Sequence, residues 1–265
     1  MKRARSVLIC HHDEPLNRCG LARWMGSFTD LAAIVVVHEP RARLTRRIRR
    51  EIQRVGVLRF MDILAFRVYY RFALAGADNA WAETTLQHLF RRYGDIPSSC
   101  RVLDTPSPNS TEAVKLLQEV QPDLIVARCK NILREQVFKA ASIGTFVMHP
   151  GVCPEYRNAH GCFWALARRD LENVGMTLLR VDPGVDTGPV YGYYRCRFDE
   201  SSESHIVIQN RVVFDNLDLL RAKFEEILGG TAQTMDTTGR SSRAWGQPWL
   251  TSYLRWKRAA SRRSA

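Results

Sequence analysis

Short runs of β-branched and aliphatic residues punctuate the chain at 6–10, 31–37, 123–127, 144–148 and 176–181. Between most of them apolar positions recur at helical spacing, and this alternation predicts an α/β fold, a mostly parallel sheet covered by helices. The clearest helix-then-strand unit lies at Asn109-Ser110-Thr111-Glu112, where a capping residue and an acidic first turn precede "AVKLLQEV" and Pro122 closes the helix. Beyond Pro189, "VYGYYRCRF" alternates like an antiparallel strand. Residues 201–228 read as one helix ended by Gly229-Gly230, and the Thr/Ser-rich stretch after it is expected to be irregular.

The segment 41–74 fits this pattern least. Leu44, Ile48, Ile52 and Val55 recur at helical spacing with arginines between them, which predicts a basic amphipathic helix. The following "GVLRFMDILAFRVYYRFALAG" is nearly apolar, but Arg59, Asp62, Arg67 and Arg71 interrupt it and exclude a simple membrane span. An inserted helical pair packed on the sheet is the plain reading, and an element lying at a lipid interface is the alternative. The expected division is a domain over 1–200 with a helical insertion at about 41–95, followed by a C-terminal helix and basic tail over 201–265. The basic start leads into an apolar run too short for a signal peptide, so a cytoplasmic protein is expected.

Charge sharpens the picture. The net charge is +12, and two segments carry all of it: 41–59, with eight Arg against one Glu, and 254–265, with four Arg and one Lys. The remainder is neutral, so the chain has two local basic elements rather than a uniformly basic surface. The helix 41–59 accordingly offers a weak contact to an anionic surface. The seven cysteines are widely spaced, with no C-x-x-C pair and no zinc spacing, so no metal is expected.

In an open parallel sheet, ligands sit beyond the carboxyl ends of the strands. His149 follows the run "IGTFVM", and Asp186 lies in "VDPGVDTGPV" just after the run "GMTLLRV". A histidine and a carboxylate at two strand ends form a plausible acid/base pair; a structural histidine and a turn-capping aspartate read equally well from spacing alone.

The stretch 122–192 resembles the formyltransferases that use 10-formyltetrahydrofolate, a family acting on glycinamide ribonucleotide, methionyl-tRNA and sugar nucleotides. The family pattern is a strand ending Asn-x-His, a Pro-x-Tyr/Trp loop, a Trp-Ala helix, Gly-x-Thr and a terminal Asp-x-Gly-x-Ile/Val. Here His149, Pro154, Tyr156-Arg157, Trp164-Ala165, Gly175, Thr177 and Asp186-x-Gly188-x-Val190 follow in that order. The resemblance implies a Rossmann-like sheet with folate across the strand ends. Its pterin would be held by the loop matching Cys129, Asn131, Ile132 and Leu133, with the last two as apolar walls, and by the loop of Val181, Asp182 and Val185. It further implies that His149 assists the oxyanion and proton transfers while Asp186 orients His149 and an ordered water.

One position departs from the pattern. Val147 stands where the family has the Asn whose carboxamide donates to the developing oxyanion, and losing such a donor typically costs about 10²–10³ in rate. A substitute donor, a changed reaction, or loss of catalysis with binding retained are the three explanations. Asn158 is the preferred substitute, with His160 or a backbone N–H as others. For the acceptor, the first strand is followed by "CHHDEPLNRCG" instead of a glycine-rich phosphate loop. His11, His12, Asp13 and Glu14 offer acidic and imidazole groups that suit a cationic or amine acceptor, and Tyr156, Arg157 and His160 are also expected to bind the substrate. The reading is one-carbon transfer from the folate to the amine of a small molecule, of the kind found in secondary metabolism, with tRNA disfavoured. A silent folate-binding protein and a hydrolase of the formyl donor are the rivals.

Overall fold

The computed structural model describes residues 3–38 and 42–264, with the side chains of 42–47 and 264 left out. Strands β1 (Arg5–His11), β2 (Asp30–Val37), β3 (Arg101–Thr105), β4 (Leu124–Arg128), β5 (Gly144–His149), β7 (Met176–Arg180) and β8 (Val190–Tyr194) form one sheet in the order β3-β2-β1-β4-β5-β7-β8. The first five are parallel; β7 and β8 run antiparallel beside β5. Two-residue strands β6 (Arg157–Asn158) and β9 (Ala244–Trp245) pair separately. β1 shows why the central runs are unbroken: Leu8 and Cys10 enter the apolar cluster on one face of the sheet, Val7 and Ile9 the cluster on the other.

The helices are α1 (Ala22–Phe28), α2 (Ala42–Val55), α3 (Val57–Tyr69), α4 (Ala75–Arg92), α5 (Thr111–Val120), α6 (Glu135–Phe138), α7 (Gly161–Ala167), α8 (His205–Phe214), α9 (Leu217–Leu228) and α10 (Leu250–Ser264). Ser110 caps α5 as its sequence predicts, accepting from the Ala113 N–H at 3.2 Å. α2, α3 and α4 lie between β2 and β3, and a π-helical turn, Tyr70–Leu74, links the last two. Arg41 and the side chain of Leu44 lie outside the described residues.

Two expectations change, and one strand was not anticipated. Edge strand β3 has no apolar run to announce it: four of its five residues are not buried. The predicted helix over 201–228 is two helices, because Asn216 leaves the helical path and its side chain donates to the carbonyls of Arg195 and Val212. The stretch after Gly230 ends in α10, whose Tyr253 and Trp256 are 1% and 0% exposed. These residues, with Ile208, Leu220 and Phe224, share one apolar cluster with Leu8, Met148 and Phe163, so the boundary at 200 separates no core. Among the described residues no helix is long and apolar enough to cross a membrane.

Candidate active site

β5 delivers His149 to the carboxyl edge of the sheet, 5% exposed. Its Nε2 donates to the Tyr156 carbonyl at 2.9 Å, which fixes the proton on that nitrogen, and its Nδ1 lies 3.5 Å from Asp186 Oδ2. Both ring nitrogens thus face acceptors, a setting that suits a group passing a proton on and off. The closeness of the Tyr156 carbonyl depends on Gly151, where an added Cβ would lie 2.5 Å from that oxygen and 2.8 Å from His149 Nε2.

Asp186 is placed by its loop. Its backbone is left-handed (φ 52°), and Oδ2 accepts from the Asn158 backbone N–H at 2.7 Å. Gly188 lets the loop turn back, since a side chain there would strike the Arg180 carbonyl at 1.9 Å. Arg157 ties the two loops, its Nη1 donating to the Val185 carbonyl at 2.8 Å. Thr177 anchors the chain after His149, donating to the Gly151 carbonyl and accepting from the Cys153 N–H. Asn158 and His160 also have left-handed backbones, so three unusual conformations meet around one histidine.

The predicted residues divide. The Asn158 carboxamide donates to the Trp245 carbonyl at 2.5 Å, so this side chain braces β9 and is not turned to an oxyanion; its backbone N–H, which holds Asp186, is the part that serves the site. His160 keeps a buried Nδ1 without a hydrogen-bond partner. Burial, with Lys130, Arg67 and His149 nearby, pulls the His160 pKa down to about 4, so its imidazole is neutral near pH 7. Tyr156 is 3% exposed, donates its hydroxyl to Asp170 and stacks on Trp245; only its carbonyl enters the site. His11 is also structural: buried, its Nε2 accepts from the Lys130 backbone N–H at 2.9 Å. His12 and Asp13 are exposed at the end of β1, and His12 packs against His38 with ring centroids 4.2 Å apart.

On the loop after β4, Ile132 is 69% exposed, whereas Leu133 is 7% exposed and packs into the core, so Ile132 alone offers an apolar wall. Asn131 and Ile132 border a cavity of about 730 Å³ completed by Arg50, Pro106, Ser107, Asn109, Ser110 and Arg134. Asp186 borders a smaller one of about 230 Å³ with Cys153, Arg157, Thr187 and Arg240. Cys129, Val181, Asp182 and Val185 line neither. Burial raises the Cys129 thiol to about 11, Val181 is held by its N–H to the Thr145 carbonyl, and Asp182 accepts from Thr187 and the Gly184 N–H.

Several residues here carry no motif. Arg128 donates to the Met148 carbonyl at 2.5 Å and to Asn17 at 3.3 Å, and Glu14 pairs with Lys130 at 2.9 Å. Burial pushes the Glu14 carboxyl up, but Lys130 and Arg128 outweigh it and hold the group below its ordinary range. Trp245 lies 87 positions from Asn158, which explains why no local pattern links them. Among the described residues no His/Cys/Asp/Glu group forms a metal-holding cluster.

A profile of the formyl transferase family matches residues 73–222, more than half of the chain. The chain belongs to the formyl transferase family. A methionyl-tRNA formyltransferase of Kosmotoga olearia is 33% identical over 112 residues, 40% of this chain and 33% of that protein. The chain thus spans about a third of the length of that curated relative. Solved structures share the fold at low identity. A sugar N-formyltransferase from Shewanella sp FDAARGOS_354 aligns with 96% of this chain and 87% of its own (TM-score 0.54, 13% identity). A phosphoribosylglycinamide formyltransferase from Anaplasma phagocytophilum aligns with 93% of this chain and 100% of its own (TM-score 0.55, 13% identity).

Proposed function

We propose that the chain transfers a formyl group from 10-formyltetrahydrofolate to the amine of a small molecule. The observation that carries this reading is His149 at the tip of β5, facing Asp186 at 3.5 Å, in a chain of the formyl transferase family. The amine lone pair attacks the formyl carbon, and the carbonyl electrons move to oxygen. The nitrogen then gives a proton to His149 Nδ1, whose imidazolium faces Asp186 and returns that proton to the leaving nitrogen. Collapse of the intermediate expels N10 of the folate, which takes up a proton, and yields the formamide and tetrahydrofolate.

The carboxamide missing at Val147 needs a replacement. With Asn158 engaged on Trp245, His160 is the better candidate: it is neutral, enclosed, near His149, and has an unpartnered ring nitrogen. As the tautomer carrying its proton toward the site, it donates to the oxyanion. The folate would lie against Ile132 and the backbone of the loops after β4 and β7. His12 and Asp13, exposed at the end of β1, favour an acceptor that carries a positive charge away from its reacting, neutral amine.

The second reading, a silent folate-binding protein, is favoured by Val147 itself. Single-turnover mixing with 10-formyltetrahydrofolate and a panel of amines separates the two. Transfer produces tetrahydrofolate only when an amine is present. Saturable binding with no tetrahydrofolate for any amine would sink the first reading, and formate released without an amine would instead mark a hydrolase.

A further inference from the structure

Helix α3 has two apolar faces. Phe60, Ile63 and Phe66 turn inward and are buried. Leu58, Met61, Ala65, Val68 and Phe72, spaced three and four apart, continue an opposite stripe into the π-helical turn, all exposed; Leu58 and Phe72 are 87% and 82% exposed. Spacing of three and four puts these side chains on one side of a helix.

The fold places the second basic segment beside it. α10 packs on α3 through Tyr253, whose ring lies 5.2 Å from that of Phe66 and 5.7 Å from that of Tyr69, and through Thr251, which hydrogen-bonds Asp62. With Tyr253, Trp256 and Ala260 buried, α10 leaves Arg255, Arg258 and Arg262 exposed, again at spacings of three and four. Gly56, with a left-handed φ of 79°, joins α3 to the preceding α2, whose Arg49 is exposed. Arg255, Arg258 and Arg262 therefore sit on a helix packed against the one that carries the uncharged apolar stripe.

We propose that this face docks on the headgroup region of an anionic lipid bilayer. Aliphatic and aromatic side chains on one face enter the boundary between headgroups and acyl chains, while arginines beside them meet lipid phosphates. A second copy would oppose two surfaces of the same charge. RNA would satisfy the arginines but offers Leu58, Met61 and Val68 nothing to pack on, since aliphatic side chains do not stack on bases as aromatics do.

Flotation of the full chain with vesicles of phosphatidylcholine, alone or mixed with phosphatidylserine, tests the assignment. Two double variants accompany it, Leu58→Glu with Val68→Glu and Arg255→Glu with Arg258→Glu, all at exposed positions whose thermal melts should match the parent. The parent should float with the phosphatidylserine vesicles only and be released by salt, and each variant should bind at least roughly tenfold more weakly. Three results would overturn the proposal: no flotation; flotation unaffected by the apolar variant; or a dimer of the parent that the apolar variant converts to monomer, showing that a second copy covers the stripe.

Discussion

Val147 sits two residues before His149 on the same strand and hence on the same side of the sheet, opposite Ala127 and Leu179 in the register. A carboxamide at this position would point to the side where His149 points. Val147→Asn is therefore expected to raise single-turnover formyl transfer by up to about 10²–10³-fold, whereas His160→Ala should lower it by a similar factor in the parent and by less in the Val147→Asn background. Equal losses in both backgrounds would show that His160 is not the replacement donor. His160 and His205 also make stability depend on pH. Both are depressed by burial, His160 from 6.5 to about 4 and His205 well below its ordinary value. The unfolded chain takes up these protons first as pH falls, so the stability they contribute is full above about 6.5 and is lost on acidification toward about 4. A melting temperature that drops over this window, and drops less in His205→Leu, is the expected result. His149 and Asp186 were legible as candidates at this scale because each follows an apolar strand run. The unpaired nitrogen of His160 and the engaged carboxamide of Asn158 were not, since each depends on which remote group lies opposite.

Loops and helices decide whether those residues meet. The turn 149–161 is narrow enough that Gly151 and Gly161 approach each other's backbone, and a Cβ on either would meet the Tyr156 carbonyl. Gly151→Ala should displace His149 and remove activity while leaving most of the core intact, which a retained melting transition with lost folate turnover would demonstrate. At the far end of the chain, α10 closes the apolar layer under α3. Trp256 is fully buried and donates its indole N–H to Glu200 at 3.0 Å, so Trp256→Ala should destabilise the protein by about 3–5 kcal/mol in chemical denaturation. A loss below about 1 kcal/mol would mean that α10 packs loosely. Its sequence, Thr/Ser-rich upstream and arginine-rich throughout, hides the helix. Three inward side chains at helical spacing carry the signal, and the charges between them read as a solvated tail.

Across the whole molecule, residues before and after position 200 fill the same layer. Phe146 from β5 and Trp24 from α1 both pack on Phe224 from α9, with ring centroids 5.8 and 6.0 Å apart. Truncation after 200 is expected to expose one face of the sheet and abolish cooperative thermal unfolding; a 1–200 fragment that melts sharply would refute a shared core. The sequence by itself determined the alternation of strands and helices and the family, and offered His149 and Asp186 as a candidate pair. These follow from local periodicity and from motif residues whose roles depend on short-range geometry. Only the tertiary structure decided how α10 comes to pack beside α3, how β9 comes to brace Asn158, and why α10 is a helix at all. Those contacts join residues that are distant in the chain, and their free energy comes from burial against partners that no local window contains.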